Sequence, residues 1–201
     1  MASLVLSGDT SGSVTIAAPA VAGSTTQTLV AATGTLAPLI SGTAVASTSG
    51  TAINFGNAIP SWAKRVIVMF QGVSTNGTGI IQVQLGTGTT PTYTITGYLG
   101  GAVSVQTSTA SAVSYTTGFA LVPQQAAAAI HHGVMTISLV NASTNAWAAS
   151  STSSRSDLAQ SGSSAGTIAL AAALTSVRVI GSATGSPSDT FDAGTINILF
   201  E

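Results

Sequence analysis

The chain has very little charge, few aromatic rings and no cysteine. Charged residues make up 4% of its 201 residues and aromatic residues 5%, whereas an ordinary globular domain carries about 25% charged residues. The absence of cysteine excludes disulfides, thiolate metal sites and a cysteine nucleophile. With four Lys or Arg residues and a formal net charge of −1, the chain also lacks the basic clusters that bind nucleic acids through their phosphates.

Long apolar runs are missing too. The N-terminus has no basic segment ahead of the short apolar run at residues 4–6, so it does not resemble a secretory signal. The longest apolar stretch, residues 168–174, is far shorter than the ~20 residues that cross a bilayer. The sequence therefore predicts no membrane insertion.

Small side chains dominate instead. Ala, Thr, Ser and Gly together account for 113 of the 201 residues, so hydroxyl groups must supply most of the polarity of the surface. A surface with so little charge tends to associate with other copies or with other proteins. We therefore expect an obligate oligomer or a component of an assembled particle.

The composition changes near residue 50. Residues 1–50 combine Gly, Ser, Thr and Ala with short clusters of Val, Ile and Leu that are too small to close a core. We interpret this part as an extended N-terminal arm that orders against a partner surface or against copies of itself; a disordered linker is the alternative. All Trp, Tyr and Phe residues lie in residues 51–201, which we predict to be the folded domain.

This second part has the pattern of an all-β domain. Residues 65–73 are apolar on both alternating faces, as in a central strand, and Ile81, Val83 and Leu85 alternate with glutamines, as in a half-buried strand. Further strand candidates are residues 92–99, 112–122, 133–140, 146–150, 167–170, 175–181 and 194–200, and residues 124–130 form one short helix candidate. Short strands separated by turn residues favour a single jelly-roll-like β-sandwich.

Motifs typical of catalysis are weak. Residues 162–166 match the G-x-S-x-G spacing of a nucleophile elbow, but no βαβ pattern surrounds them, and we expect a surface loop. Asp189 and Asp192 are the closest pair of carboxylates; we interpret them as turn residues, with Arg178 as a candidate partner. We predict no enzymatic activity and no cofactor.

A few side chains are candidates for binding. The adjacent His131 and His132 should point to opposite faces of a strand, so they cannot easily hold one metal ion together unless a symmetric oligomer gathers copies around an axis. Trp147 and Tyr93 are candidate surface contacts for a host glycan, because an aromatic ring can stack on a sugar; core packing is the alternative for Trp147. Exposed tips are predicted at residues 86–93, 106–111 and 150–164, where turn residues cluster.

Several stretches resemble a known family. They are INFGNAIPSWAKRVIVMFQGVSTNGTG, IQVQLGTG, TGYLG, VMTISLVNASTNAWAAS and LTSVRVIGSATGSPSDTFDAGTINILFE. Together they are similar to a β-domain at the C-terminus of tailed-bacteriophage virion proteins, which opens on an IPSWxKRI-like stretch, continues with GVSTNG and closes on DTFDAGxINILYE. Residues 59–66, 72–77 and 189–201 fit that pattern closely.

The arm resembles the same class of protein. SGDTSGSVTIAAPAVAG and TTQTLVAATGTL are similar to segments near the N-termini of phage fibre and appendage proteins. The resemblance implies a non-enzymatic virion component, a homotrimer assembled in the host bacterial cytoplasm, whose residues 1–50 anchor it to a tail adaptor or to the major capsid protein. It transfers no catalytic residues to this chain.

The location on the particle stays open. A tail-fibre or appendage protein that contacts a host surface glycan is the first expectation. A capsid decoration or head-fibre protein is the alternative, because the chain has no coiled coil and no repeated shaft. An enzyme or a cellular lectin is the third class, and no convergent acid–base set supports it.

Overall fold

The computed structural model describes residues 3–7, 11–17, 37–123, 126–127 and 129–201. The chain divides into two compact units, Met1–Leu36 and Ala37–Glu201. No helix in the described ranges is long and apolar enough to span a membrane. The short helix predicted at residues 124–130 falls partly outside the described residues.

In the first unit the described residues form a hairpin of β1 (Ser3–Ser7) and β2 (Ser13–Ala17). Leu4 lies opposite Ile16 and Leu6 lies opposite Val14, so these four side chains share one face. Each of them is more than half exposed. A two-stranded hairpin is marginally stable by itself in water, so this face gains stability when another surface covers it.

In the second unit, all strands of the described residues pair antiparallel. They are β3 (Ile40–Ser41), β4 (Val45–Ala46), β5 (Ala52–Phe55), β6 (Arg65–Thr75), β7 (Ile80–Thr87), β8 (Thr92–Tyr93), β9 (Leu99–Gln106), β10 (Ala110–Tyr115), β11 (Phe119–Ala120), β12 (His131–Asn141), β13 (Ala146–Arg155), β14 (Gln160–Ala169), β15 (Leu174–Ser182) and β16 (Phe191–Phe200). One sheet has the order β10-β9-β14-β13-β12-β6-β16-β3, with β4 also on β16; the other has the order β11-β7-β15-β5, with β8 also on β7. The predicted all-β class is confirmed.

Buried side chains of the two sheets form one hydrophobic core. Alternation along β6 and β16 directs Val66, Val68, Ile196 and Ile198 into it from the nine-stranded sheet. The five-stranded sheet contributes residues such as Ile81, Val83, Leu85, Val177 and Val179. The predicted central position of residues 65–73 is confirmed, since β6 lies between β12 and β16.

The second face of β7 differs from its prediction. Alternation suggested that Gln82 and Gln84 face solvent, yet both are buried. Gln82 Nε2 donates to the carbonyl of Ser182 at 3.1 Å, and Gln84 Nε2 donates to the carbonyl of Thr117 at 2.6 Å. The Ser182 carbonyl lies at the end of β15 and the Thr117 carbonyl lies in the loop before β11, and together they satisfy the two amides.

Residues 37–50 belong to the compact β unit, although the sequence assigns them to the arm. β3 and β4 both pair with β16. Between β3 and β4, the Gly42 amide donates to the Ile198 carbonyl at 2.8 Å. Directly after β4, the Ser47 amide donates to the Gly194 carbonyl at 2.9 Å. The boundary lies at residue 36 because the outer edge of β16 takes its partner strands from this segment.

The glycine pair Gly72 and Gly194 permits an irregular register between β6 and β16. The register shifts between Ala193 and Thr195, and Gly194 has a φ of +93°, where an L side chain is strained. A Cβ at Gly194 would collide with the Gly72 backbone.

We expect Gly194→Ala to lower the free energy of unfolding by about 2–4 kcal/mol, because the strain of a positive φ and the collision with the Gly72 backbone both destabilise the folded state. Gly50→Ala is the matched control, because its φ is +76° but the nearest atom to a Cβ is 3.9 Å away; it should lose about 1 kcal/mol. Urea unfolding measures both variants. Equal losses would show that the contact with Gly72 is not the cause.

Candidate functional site

Trp147, one of the two predicted surface contacts, lies in the core. Its side chain is 3% exposed. On β13 it alternates in phase with the buried Ala149, between Leu139 of β12 and Ile168 of β14. So little of the ring is exposed that it cannot stack on a sugar at the surface, and the predicted glycan contact through Trp147 does not fit this position. Burial between two strands explains the residue, which is the core-packing alternative.

Tyr93, the other predicted contact, is half-buried on β8. The Arg178 guanidinium lies 4.4 Å from the centre of its ring, and burial raises the pKa of the Tyr93 hydroxyl. Arg178 Nε donates to Gln84 Oε1 at 2.7 Å. Arg178 therefore pairs with a glutamine and an aromatic ring, and the predicted partnership with Asp189 or Asp192 is wrong.

Asp189 stabilises a turn, as its sequence context indicates. Its Oδ2 accepts a hydrogen bond of 2.6 Å from the Gly79 amide, and its Oδ1 accepts one of 3.0 Å from the Ser188 hydroxyl. The bond from Gly79 connects the loop before β16 to the loop before β7. The carboxylate serves the packing of the two loops.

The G-x-S-x-G segment is part of β14 and not the predicted surface loop. Its central residue, Ser164, is buried, and the Ser164 and Ser151 hydroxyl oxygens lie 2.7 Å apart. A nucleophile elbow requires a sharp strand-to-helix turn. An extended strand does not provide that geometry.

The two histidines face opposite sides of β12, as alternation predicts. His131 is fully buried, and burial, reinforced by the charge of Arg155, lowers its pKa to about 4. His132 is exposed; its Nδ1 accepts a bond of 3.2 Å from the Gly72 amide, and its Nε2 lies 3.1 Å from the Ser156 hydroxyl. The two imidazoles cannot meet at one ion.

Polar side chains converge at one end of the nine-stranded sheet. Gln106 ends β9 and lies opposite Gln160, which begins β14. Arg155 ends β13 and lies opposite His131, which begins β12. The Nη1 of Arg155 donates to Oε1 of Gln160 at 3.1 Å. Antiparallel pairing of neighbouring strands therefore brings four polar residues into a row.

An ion pair fixes this row at its centre. Arg155 Nε donates to Asp157 Oδ1 at 3.1 Å, and Arg155 Nη2 donates to Asp157 Oδ2. The Ile130 amide also donates to Asp157 Oδ1, at 2.8 Å. These bonds lower the pKa of Asp157 to about 2. The Arg155 side chain is 9% exposed, so its guanidinium is held in one orientation and its charge is neutralised.

A cleft of about 520 Å³ opens beside the row, where the ends of the two sheets meet. Its lining comes from both sheets and the adjoining loops: Thr78, Ile80, Gln106, Pro123, Ala126, Arg155 and Ala183. Gln160 lies between Gln106 and Arg155, and its buried Nε2 has no hydrogen-bond partner among the described residues. The cleft is therefore lined by apolar side chains together with the polar side chains of Thr78, Gln106 and Arg155.

The sequence did not identify Gln106, Arg155, Asp157 and Gln160 as a group. Predicted exposed tips at residues 106–111 and 150–164 include all four, but strand register brings them together. One signal in the sequence could have indicated an ion pair here. Arg155 and Asp157 are two of only nine charged residues in the chain and lie two positions apart.

The chemistry of the cleft is hydrogen bonding. Within the described part of the chain, no three His, Cys, Asp or Glu residues are grouped so as to hold a metal ion. The low pKa of Asp157 keeps that carboxyl ionised and hydrogen-bonded to Arg155 at neutral pH. The arrangement can orient a bound polar molecule.

Burial of His131 predicts a loss of stability in mild acid. The unfolded histidine takes up a proton near pH 6.5, but the folded one does so only near pH 4, so folding becomes less favourable as the pH falls through this window. We expect a loss of about 2–3 kcal/mol between about pH 7 and pH 4.5, measured by urea unfolding. His131→Gln should flatten this dependence, and the exposed His132→Gln should retain it. The same pH slope in the wild type and in His131→Gln would contradict the prediction.

Comparison with known proteins adds no relative. No protein-family model, curated protein or solved structure matches the chain. The case for the cleft therefore rests on its own residues and their contacts.

Proposed function

We propose that the chain is a non-enzymatic structural protein of a bacteriophage virion, a tail-fibre or appendage component that contributes to host attachment. The N-terminal arm anchors it to the particle, and a jelly-roll-like β-sandwich projects outward. The observation that carries this proposal is the way in which the stretches resembling phage virion proteins come together in the fold.

The three stretches that fit the phage pattern most closely, residues 59–66, 72–77 and 189–201, contact one another. Residues 189–201 include β16, and the other two stretches flank and overlap β6, its neighbour in the sheet. The Arg65 guanidinium lies 2.9 Å from the Glu201 carboxylate. The Asn76 amide donates to the Thr190 carbonyl, and the Thr190 amide donates to the Asn76 side chain, both at 2.9 Å. This mutual contact supports a resemblance that covers a structural unit and not scattered similarities of composition.

Connectivity supports a jelly-roll-like sandwich. The chain passes repeatedly between the two sheets. β5, β7 and β15 lie in the smaller sheet, whereas β6 and β16 lie in the larger one. Strands that alternate between two packed antiparallel sheets are typical of Greek-key sandwiches. The shared core of the two sheets fits that architecture.

The hairpin unit supports an anchoring and self-associating arm. Its apolar face, Leu4, Leu6, Val14 and Ile16, carries no charge that would oppose contact with an apolar surface or with another copy. We propose a homotrimer in which this face is covered by neighbouring copies and by the tail adaptor or the major capsid protein.

A capsid decoration or head-fibre protein is the second candidate. The observation that favours it is the compactness of Ala37–Glu201, together with a sequence that has no coiled-coil repeat and no repeated shaft. A protein of this form suits a short attachment to a capsid surface.

Antibody labelling of purified virions, viewed by negative-stain electron microscopy, tests the location. The proposal expects label at the tail. Label spread over the head would replace it with the decoration alternative, and unlabelled particles that contain no copy by mass spectrometry would refute a virion role altogether.

Deletion of residues 1–36 tests the arm while leaving β3 and β4 in place. We expect the truncated protein to keep the thermal transition of the β unit, to lose incorporation into particles, and to sediment as a smaller species than the trimeric full chain. A deletion of residues 1–50 is the comparison, and it should also destabilise β16. Normal incorporation of the shorter deletion, or a monomeric full chain at micromolar concentration, would contradict the proposal.

A further inference from the structure

We propose that Arg178, Tyr93 and Asn54, on the outer face of the five-stranded sheet, bind the carboxylate and neighbouring hydroxyls of an acidic sugar. This assignment rests on the proposed role in host attachment, and it moves the glycan contact from Trp147 to the guanidinium beside Tyr93. The evidence is a fixed arginine whose charge has no carboxylate partner and whose two Nη groups are open to solvent.

Arg178 differs from the other arginines in its charge balance. The other two each have a carboxylate partner, in the pairs Arg65–Glu201 and Arg155–Asp157. Arg178 forms no ion pair with any described residue, and the groups that act on it electrostatically are Tyr93 and Tyr98, whose hydroxyls are neutral at neutral pH. A half-buried cation without a counterion has lost part of its hydration and gained no partner in return, so it favours an anionic ligand.

Two neighbours hold the guanidinium in one orientation. Arg178 Nε donates to Gln84 Oε1 at 2.7 Å, and the guanidinium carbon lies 4.4 Å from the centre of the Tyr93 ring. The ring in turn lies against Gly86, where a Cβ would be 2.9 Å from Tyr93 Cδ1, so a glycine at this position lets the ring approach the sheet. A donor that is fixed before the ligand arrives loses little freedom on binding, which favours affinity.

The two Nη groups of Arg178 remain available for a ligand. Neither has a hydrogen-bond partner among the described residues, and neither is a buried atom, so both reach solvent. The Nε bond to Gln84 leaves the end of the guanidinium unused, where Nη1 and Nη2 present two N–H bonds side by side. Their spacing matches the two oxygens of a carboxylate.

The charge of the site favours a singly charged group. One guanidinium supplies one positive charge, and no second Arg or Lys and no Asp or Glu among the described residues acts electrostatically on Arg178. A phosphate monoester carries nearly two negative charges at neutral pH and would leave one of them unbalanced, whereas a carboxylate is matched. The cleft beside Arg155 does not offer such a site, because Asp157 already neutralises that guanidinium.

Asn54 and Tyr93 add groups that recognise the hydroxyls of a sugar. Asn54 lies opposite Arg178 on β5, so the two side chains share one face of the sheet. Asn54 is exposed, and its amide has no partner in the described part of the chain; the Tyr93 hydroxyl is also open to solvent. Because β5 and β8 lie on opposite sides of β15, a sugar whose carboxylate binds Arg178 has a polar group on each side of it. The site is on the surface, so binding by one copy should be weak and should gain strength from several copies on one particle.

Saturation-transfer NMR on the purified full-length protein tests this assignment. The probes are glucuronate, galacturonate and N-acetylneuraminate, with glucose and galactose as neutral comparisons and acetate as a carboxylate without a sugar ring. At least one acidic sugar should bind about tenfold more tightly than the neutral sugars and more tightly than acetate. Binding of none of the acidic sugars, or equal binding of a neutral sugar, would overturn the proposal. Acetate binding as tightly as the acidic sugars would also overturn it, because Arg178 alone would then account for recognition.

Matched variants locate the binding. Arg178→Gln removes the charge and should weaken binding of the acidic sugar about tenfold, whereas Arg178→Lys keeps the charge, loses the bidentate geometry and should weaken binding about threefold. Arg65→Gln removes the same charge from an exposed ion pair; it is the control and should bind like the wild type. Asn54→Ala, at an exposed position on the edge strand β5, should weaken binding by a smaller factor and keeps the test valid if the Arg178 variants fold poorly. Unchanged binding by the Arg178 and Asn54 variants would place the sugar elsewhere and refute the site.

The outcome is separable from that of the virion proposal. A protein found on the tail that binds no acidic sugar refutes only the site at Arg178. A protein that binds an acidic sugar but is absent from virions refutes only the virion role.

Discussion

The pairing of β6 with β16 is the interaction on which the rest of the β unit depends. Six consecutive residue pairs, from Gln71 opposite Thr195 to Val66 opposite Phe200, join these strands. The chain end completes the ladder, because the Lys64 and Arg65 amides both donate to the Glu201 carbonyl. β12 pairs with the free side of β6, and each further strand follows by antiparallel pairing. The register of the polar row at the cleft is therefore inherited from this central pair.

The outer strands of the larger sheet show how a chain with few bulky residues still forms an ordered structure. β13 and β14 consist mainly of Ser, Gly, Ala and Thr, and these residues make up half of β9. A Cβ at Gly162 would lie 2.6 Å from the Val103 carbonyl oxygen and 2.8 Å from Val122 Cγ1, so the sheet and the segment that covers it approach too closely for a larger residue. Hydrogen bonds between backbones and close packing take the place that large apolar side chains hold in most cores.

Sequence reasoning predicted the class of the fold and several of its strands. Alternation in residues 65–73 and 194–200 was sufficient because those strands carry Val, Ile and Phe. It did not predict β9, and of β14 it predicted only the end, at residues 167–170, because the Gly and Ser residues before them give no hydrophobic period. It also did not predict the burial of Gln82 and Gln84, which depends on segments distant in sequence. Sequence reasoning did not predict the cleft either, because Gln106 and Gln160 are neighbours only through strand register. Trp147 shows the opposite error, in which a residue type suggested a surface role that its strand position excludes.

The scarcity of charge has a consequence for the medium in which the protein works. Among the described residues the ion pairs are Arg65–Glu201 and Arg155–Asp157, and the second is largely shielded from solvent. At low to moderate ionic strength, dissolved salt acts on proteins mainly by screening exposed charges, and here it finds few to screen. The fold and its contacts should therefore change little between dilute buffer and physiological salt.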